Sequence, residues 1–174
     1  MKYSLKDAYN FLVKGNLKKA KKITENYLIK NPKDLNALQI LSAVFFQSKD
    51  FENAKLVLER LIEINSSNAQ IHNNYALALF NLSEFENALA CLNKAIKIDK
   101  NYAEAYYYKA TLLTNADEFE EAKKNYETAI DIKPDFVDCY YYLGKLLAGG
   151  IATDREGTVI DKCDYEQACN LFLK

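Results

Sequence analysis

The sequence predicts an all-α solenoid of stacked antiparallel helix pairs, and three observations carry that reading. A 34-residue period runs along the chain: Ala54, Ala88 and Ala122 keep it, as do Phe51, Phe85 and Phe119. Within a period, apolar residues recur at helical rather than strand spacing. Five Gly and two Pro in 174 residues leave continuous helix and tight turns, with little room for sheets or long loops. A single helix pair cannot cover its own apolar surface, so successive pairs must stack.

Taken in order, the first unit (1–34) is marked by Ala20, one period before Ala54, and by Pro32, three periods before Pro134. The second (35–68), third (69–102) and fourth (103–136) repeat one another position by position. Leu58, Leu92 and Tyr126 match, and so do Ile64, Ile98 and Ile132. The fourth shows the pattern most fully. Tyr106, Ala110 and Leu113 form the stripe of a first helix, and Phe119, Ala122, Tyr126, Ala129 and Ile130 form that of a second. The polar turn Asn115-Ala116-Asp117-Glu118 separates them. Ala110 and Ala122 are small because two helices cross closely only where a side chain is tiny. The fifth unit (137–174) breaks register: Ala168 falls 46 residues after Ala122, twelve more than the repeat. The excess is expected as a loop insertion over 149–163, with an incomplete last helix.

These residues resemble the tetratricopeptide repeat (TPR). Leu38, Leu41, Ser42, Phe45, Ala54, Leu58 and Leu61 fill its pattern in one unit. Tyr106, Ala110, Leu113, Ala122, Tyr126, Ala129 and Pro134 fill it in another, and Tyr140, Leu143, Gly144 and Leu147 begin a further one. The resemblance implies a right-handed superhelix forming a single domain over 1–174. Ser4 and Asp7 depart from the pattern, as suits a terminal unit with a wet outer face; His72 and Lys109 also replace apolar residues. LGKLLAGGIATD followed by DYEQACNLF is similar to a Sel1-type repeat with its lengthened loop, and a plain surface insertion is the alternative. The last stripe stops after Phe172, so a longer protein continuing past Lys174 is expected.

Two tyrosine trios, Tyr106-Tyr107-Tyr108 and Tyr140-Tyr141-Tyr142, need a role, because successive helical side chains point about 100° apart. The resemblance places Tyr106 and Tyr140 between a unit's own helices. It turns Tyr107 and Tyr141 into a concave groove, with Tyr108 and Tyr142 at its edge or on the preceding unit. The same register puts Gln39, Ala43, Phe46 and Gln47 in the groove, then Asn73, Leu77, Phe80 and Asn81, then Thr111, Thr114 and Asn115, then Lys145, with Asn74 at the border. Amides pair with a peptide's N–H and C=O together, and tyrosine adds rigid area with a polar tip. This chemistry suits a peptide segment or partner helix; packing of the rings on neighbouring helices is the alternative use.

The same residues weigh against other classes. A net charge of −1 gives no pull toward nucleic acid or an acidic membrane. A pentatricopeptide array, the nucleic-acid relative, would be basic and run at about 35 residues. No apolar run approaches the roughly 20 residues of a membrane span, and no signal core opens the chain. Cys91, Cys139, Cys163 and Cys169 lack paired spacing and read as reduced thiols of a cytoplasmic protein. No phosphate loop, dinucleotide fingerprint or zinc spacing occurs, so no cofactor or metal is expected. The single histidine, His72, stands at a packing position. Lys18, Lys19, Lys21 and Lys22 read as a solvated face, and Asp117, Glu118, Glu120 and Glu121 as a turn and helix start.

One TPR subclass grips the C-terminal carboxylate of heat-shock chaperones with Lys, Asn, Asn, Lys and Arg. The matching positions here are Gln39, Ala43, Asn74, Glu104 and Tyr108, or one unit later Asn73, Leu77, Tyr108, Asp138 and Tyr142. Acids stand where cations belong, so no such clamp is expected. The sequence therefore predicts a non-catalytic scaffold with a protein or peptide ligand. Its alternatives are a substrate-recruiting arm of a larger enzyme and self-association through the incomplete last repeat.

Overall fold

The computed structural model describes residues 3–152, and of 148–152 the backbone only. Nine α-helices and no strand occur among these residues: α1 (Leu5–Val13), α2 (Leu17–Lys30), α3 (Leu35–Gln47), α4 (Phe51–Ile64), α5 (Ala69–Asn81), α6 (Phe85–Ile98), α7 (Ala103–Asn115), α8 (Phe119–Ile132) and α9 (Val137–Ala152). The fold is the expected all-α helical-repeat solenoid. First helices begin at Leu35, Ala69, Ala103 and Val137, and second helices at Leu17, Phe51, Phe85 and Phe119, so the 34-residue period is also the structural one. The expected insertion begins at Gly149, but α9 continues in helix to Ala152. The rest of the insertion, its Sel1-like loop and the incomplete last helix lie outside the described residues. No helix among those described is long and apolar enough to cross a membrane.

The turn inside each pair is built the same way four times. Gly15, Lys49, Ser83 and Asp117, spaced by one period, all adopt left-handed backbone, with φ of 73°, 58°, 63° and 60°. At each, two hydrogen bonds close the end of the first helix. Lys49 N–H donates to Phe46 O (3.0 Å) and Asp50 N–H to Phe45 O (2.9 Å), a Schellman motif. Gly15 and Asn16 repeat this on Leu12 and Phe11, Ser83 and Glu84 on Phe80 and Leu79, and Asp117 and Glu118 on Leu113's turn. The residue after the left-handed one then starts the next helix: Asn16 and Asp50 accept from Lys19 N–H and Asn53 N–H. A second helix therefore begins within four residues of the end of the first, which forces the antiparallel hairpin.

The chain forms two compact units, divided between Ile98 and Asp99. In the first, each helix packs on its chain neighbour and α1 also touches α3. Its main core gathers Leu38, Leu41, Phe45, Leu58 and Leu61, with Ala54 fully enclosed. In the second, α8 packs on both α7 and α9, and the core joins Ala110, Ala122, Tyr126, Ala129 and Leu143. Ala20, Ala54, Ala88 and Ala122 are all completely buried, as is Ala110. The close-crossing role assigned to alanine from the repeat is what the packing uses.

Candidate functional site

In the first unit, α3 and α5 bound an open hollow of about 440 Å³. Gln39, Phe46 and Asn74, all expected in a groove, meet there with Ala43, Gln47 and Leu77. Leu58 and Leu61 of α4 close its floor. Gln70 also lines it and was not anticipated, although its four-residue spacing from Asn74 puts both on one helix face.

Asn73 is elsewhere. It is 2% exposed, and its side-chain oxygen has no hydrogen-bond partner among the described residues. Phe80 is half-buried edge-to-face against Phe85, with centroids 5.7 Å apart. Exposed Asn81 donates its Nδ2–H to Leu77 O at 2.8 Å. None of these three lines the hollow. His72 is buried, with Nε2 2.9 Å from Ser66 O, so it serves the loop before α5.

In the second unit a ring cluster dominates. Tyr107 sits 4.9 Å from Tyr108, 5.0 Å from Phe136, 5.8 Å from Tyr142 and 6.1 Å from Tyr126, centroid to centroid. Tyr142 continues to Tyr141 at 5.2 Å, and Lys145 Nζ lies 5.6 Å and 5.9 Å from those two ring centres. The trio's members thus divide by position. Tyr107 is half-buried among rings, Tyr108 half-buried beside it, and Tyr141 is 51% exposed. Tyr140 donates its hydroxyl to Pro134 O at 3.1 Å, bracing the start of α9.

Beside this cluster a hollow of about 320 Å³ is lined by Thr111, Thr114, Asn115, Tyr126, Tyr142 and Lys145. Four expected groove residues, Thr111, Thr114, Asn115 and Lys145, come together here. Thr111 Oγ1 donates to Tyr107 O (3.0 Å), which leaves the Tyr126 hydroxyl as donor in their 3.2 Å contact. Burial raises the Tyr107 and Tyr108 phenols above their ordinary range; nearby Asp138 adds to it at both. Burial likewise pushes Tyr102 up to about 12. These rings therefore stay protonated, as hydrogen-bond donors, well above neutral pH.

A wider hollow of about 610 Å³ lies at the start of α8, rimmed by Asp117, Glu118, Glu120 and Glu121 and floored by Phe119, Leu146 and Leu147. Glu121 is already paired with Lys109 at 3.1 Å. It contains none of the expected groove residues.

Comparison with known proteins bears on the fold. A model of the anaphase-promoting complex (cyclosome) subunit 3 family matches residues 13–95, a tetratricopeptide repeat model 91–124, and a TPR repeat model 112–149. Among solved structures, PilF of Pseudomonas aeruginosa is 19% identical with a TM-score of 0.80, over 97% of this chain and 73% of its own. YrrB, a TPR protein with an unusual peptide-binding site, is 18% identical at 0.70, covering 94% and 82%. The first TPR of Spaghetti (RPAP3), bound to the HSP90 peptide SRMEEVD, is 23% identical at 0.64, covering 68% and 95%. No curated protein sequence matches. The family models and the TPR neighbours together support the tetratricopeptide repeat family, and the likeness to these structures is one of fold.

Proposed function

We propose that this chain is a non-catalytic protein-interaction scaffold whose first helices hold a peptide segment or partner helix. The observation that carries the reading is the grouping of first-helix side chains around open hollows. Gln39, Phe46 and Asn74 share one, and Thr111, Asn115 and Lys145 share the other. Both combine an apolar or aromatic floor with amides and hydroxyls, the chemistry that orients a peptide backbone while burying one side chain. The peptide-bound and peptide-binding neighbours support the same use of the fold. Affinity should be near micromolar, about −8 kcal/mol. Free Cys91 and Cys139 go with a cytoplasmic setting.

The test is mapping. A peptide selected from a random displayed library and titrated into the labelled chain should shift amide resonances on α3, α5, α7 and α9. Shifts confined to α2, α4, α6 and α8 would overturn the reading. The SRMEEVD peptide held by the Spaghetti neighbour should show no saturable binding here. Its carboxylates would meet Glu104 or Asp138, and neutral Gln39 or Tyr108, where a clamp needs cations. Tight binding in a calorimetric titration would refute that.

A further inference from the structure

We propose that the hollow between α3 and α5 selects an uncharged, extended peptide stretch that carries one apolar anchor residue. This rests on the peptide-binding reading above and narrows its ligand class.

The argument starts from sequence. Helices α3, LNALQILSAVFFQ, and α5, AQIHNNYALALFN, contain no Asp, Glu, Lys or Arg over thirteen residues each, in a chain that is 27% charged. The other first helices do carry charge, at Glu104, Lys109, Asp138 and Lys145. In the first unit the charge falls on α1 (Lys6, Asp7), on second helices and on turns, where Lys55 pairs with Glu84 at 2.6 Å and Lys21 with Glu25 at 3.8 Å. Those pairs do not line the hollow. Every residue that does is neutral.

Neutrality is matched by free hydrogen-bonding capacity. Four carboxamides, Gln39, Gln47, Gln70 and Asn74, line the hollow together with apolar Phe46, Leu58, Leu61 and Leu77. Among the described residues none of the four has an intramolecular side-chain hydrogen bond, whereas the Asn81 amide nearby is committed to Leu77 O. Each carboxamide offers a donor and an acceptor, the pair that a peptide unit in an extended strand presents. An ion brought to the same place would lose water and find neutral dipoles with no counter-charge, which disfavours it. A strand of amides with one apolar side chain loses little and satisfies both the rim and the floor. The two titratable groups on α5 do not alter this. His72 is turned to Ser66 O and Tyr75 donates to Glu59 at 2.9 Å, and neither lines the hollow.

The experiment is selection of a random displayed peptide library on the full chain, followed by affinity measurement on the enriched peptides. The expected winners hold an apolar residue within a stretch free of Asp, Glu, Lys and Arg. Their Kd should change less than about twofold from roughly 50 to 500 mM salt, because no charge pair is made to screen. Gln39→Glu with Gln70→Glu keeps side-chain shape at two exposed positions, so folding is spared; it should weaken binding at least about tenfold. Enrichment of charged peptides that still map to first helices would sink this selectivity and leave the scaffold reading standing. Unchanged affinity in the double variant would sink the site assignment. If no peptide is enriched at all, both readings fail.

Discussion

Tyr126→Ala should destabilise the second unit by about 3–5 kcal/mol, the range for removing a large enclosed aromatic side chain. Tyr126 is 1% exposed and heads the fully buried side chains by volume. It stands at the repeat position that Leu58 and Leu92 fill in the first unit, so α8 is pinned to its partners through one ring. The hydroxyl contributes less than the ring. Thr111 Oγ1 already donates to Tyr107 O, so Tyr126→Phe orphans no donor and should cost only about 1 kcal/mol. Urea unfolding followed by near-ultraviolet circular dichroism reads both variants through tyrosine, since the chain has no tryptophan. A loss below about 1 kcal/mol for Tyr126→Ala would mean that the second unit does not depend on this core. Nearest-neighbour stacking predicts that the loss falls mainly on one unit, visible as a broadened or split transition.

Much of this architecture was legible because one period imposes both the helix starts and the small residues at crossings. Ala20, Ala54, Ala88 and Ala122 announce in sequence the burial they have in space. What the period hides is anything that differs between equivalent positions. Gln39, Asn73, Tyr107 and Tyr141 share one register, yet Gln39 is exposed, Asn73 is 2% exposed, Tyr107 is half-buried and Tyr141 is 51% exposed. Register fixes direction along a helix, while burial depends on what lies opposite. The left-handed turn residues were hidden for another reason. Only Gly15 of the four is a glycine, and Lys49, Ser83 and Asp117 hold the same conformation without its sequence signal. The division at Ile98 is unmarked too, because the repeat runs through it unbroken.

The unequal burial of Tyr107 and Tyr141 makes them separable, and the second large effect follows from that. Tyr107→Ala removes the ring that touches Tyr108, Phe136, Tyr142 and Tyr126, and should cost about 1–3 kcal/mol of stability. Tyr141→Ala removes a half-exposed ring with one ring neighbour and the Lys145 ammonium beside it, and should stay within about 0.5 kcal/mol. For a ligand seated in the second unit the order should reverse in kind. On the peptide-binding reading proposed above, Tyr141 is an exposed ring beside a cation and open to the ligand, so Tyr141→Ala should weaken its binding at least about tenfold, roughly 1.4 kcal/mol, with the fold intact. Thermal unfolding and binding isotherms on the two single variants decide between uses of the trio. If Tyr141→Ala binds as well as the unaltered chain while Tyr107→Ala melts early, the rings are packing material alone. If Tyr141→Ala loses the ligand at unchanged melting temperature, packing explains only the inner ring, and the outer one exists for contact.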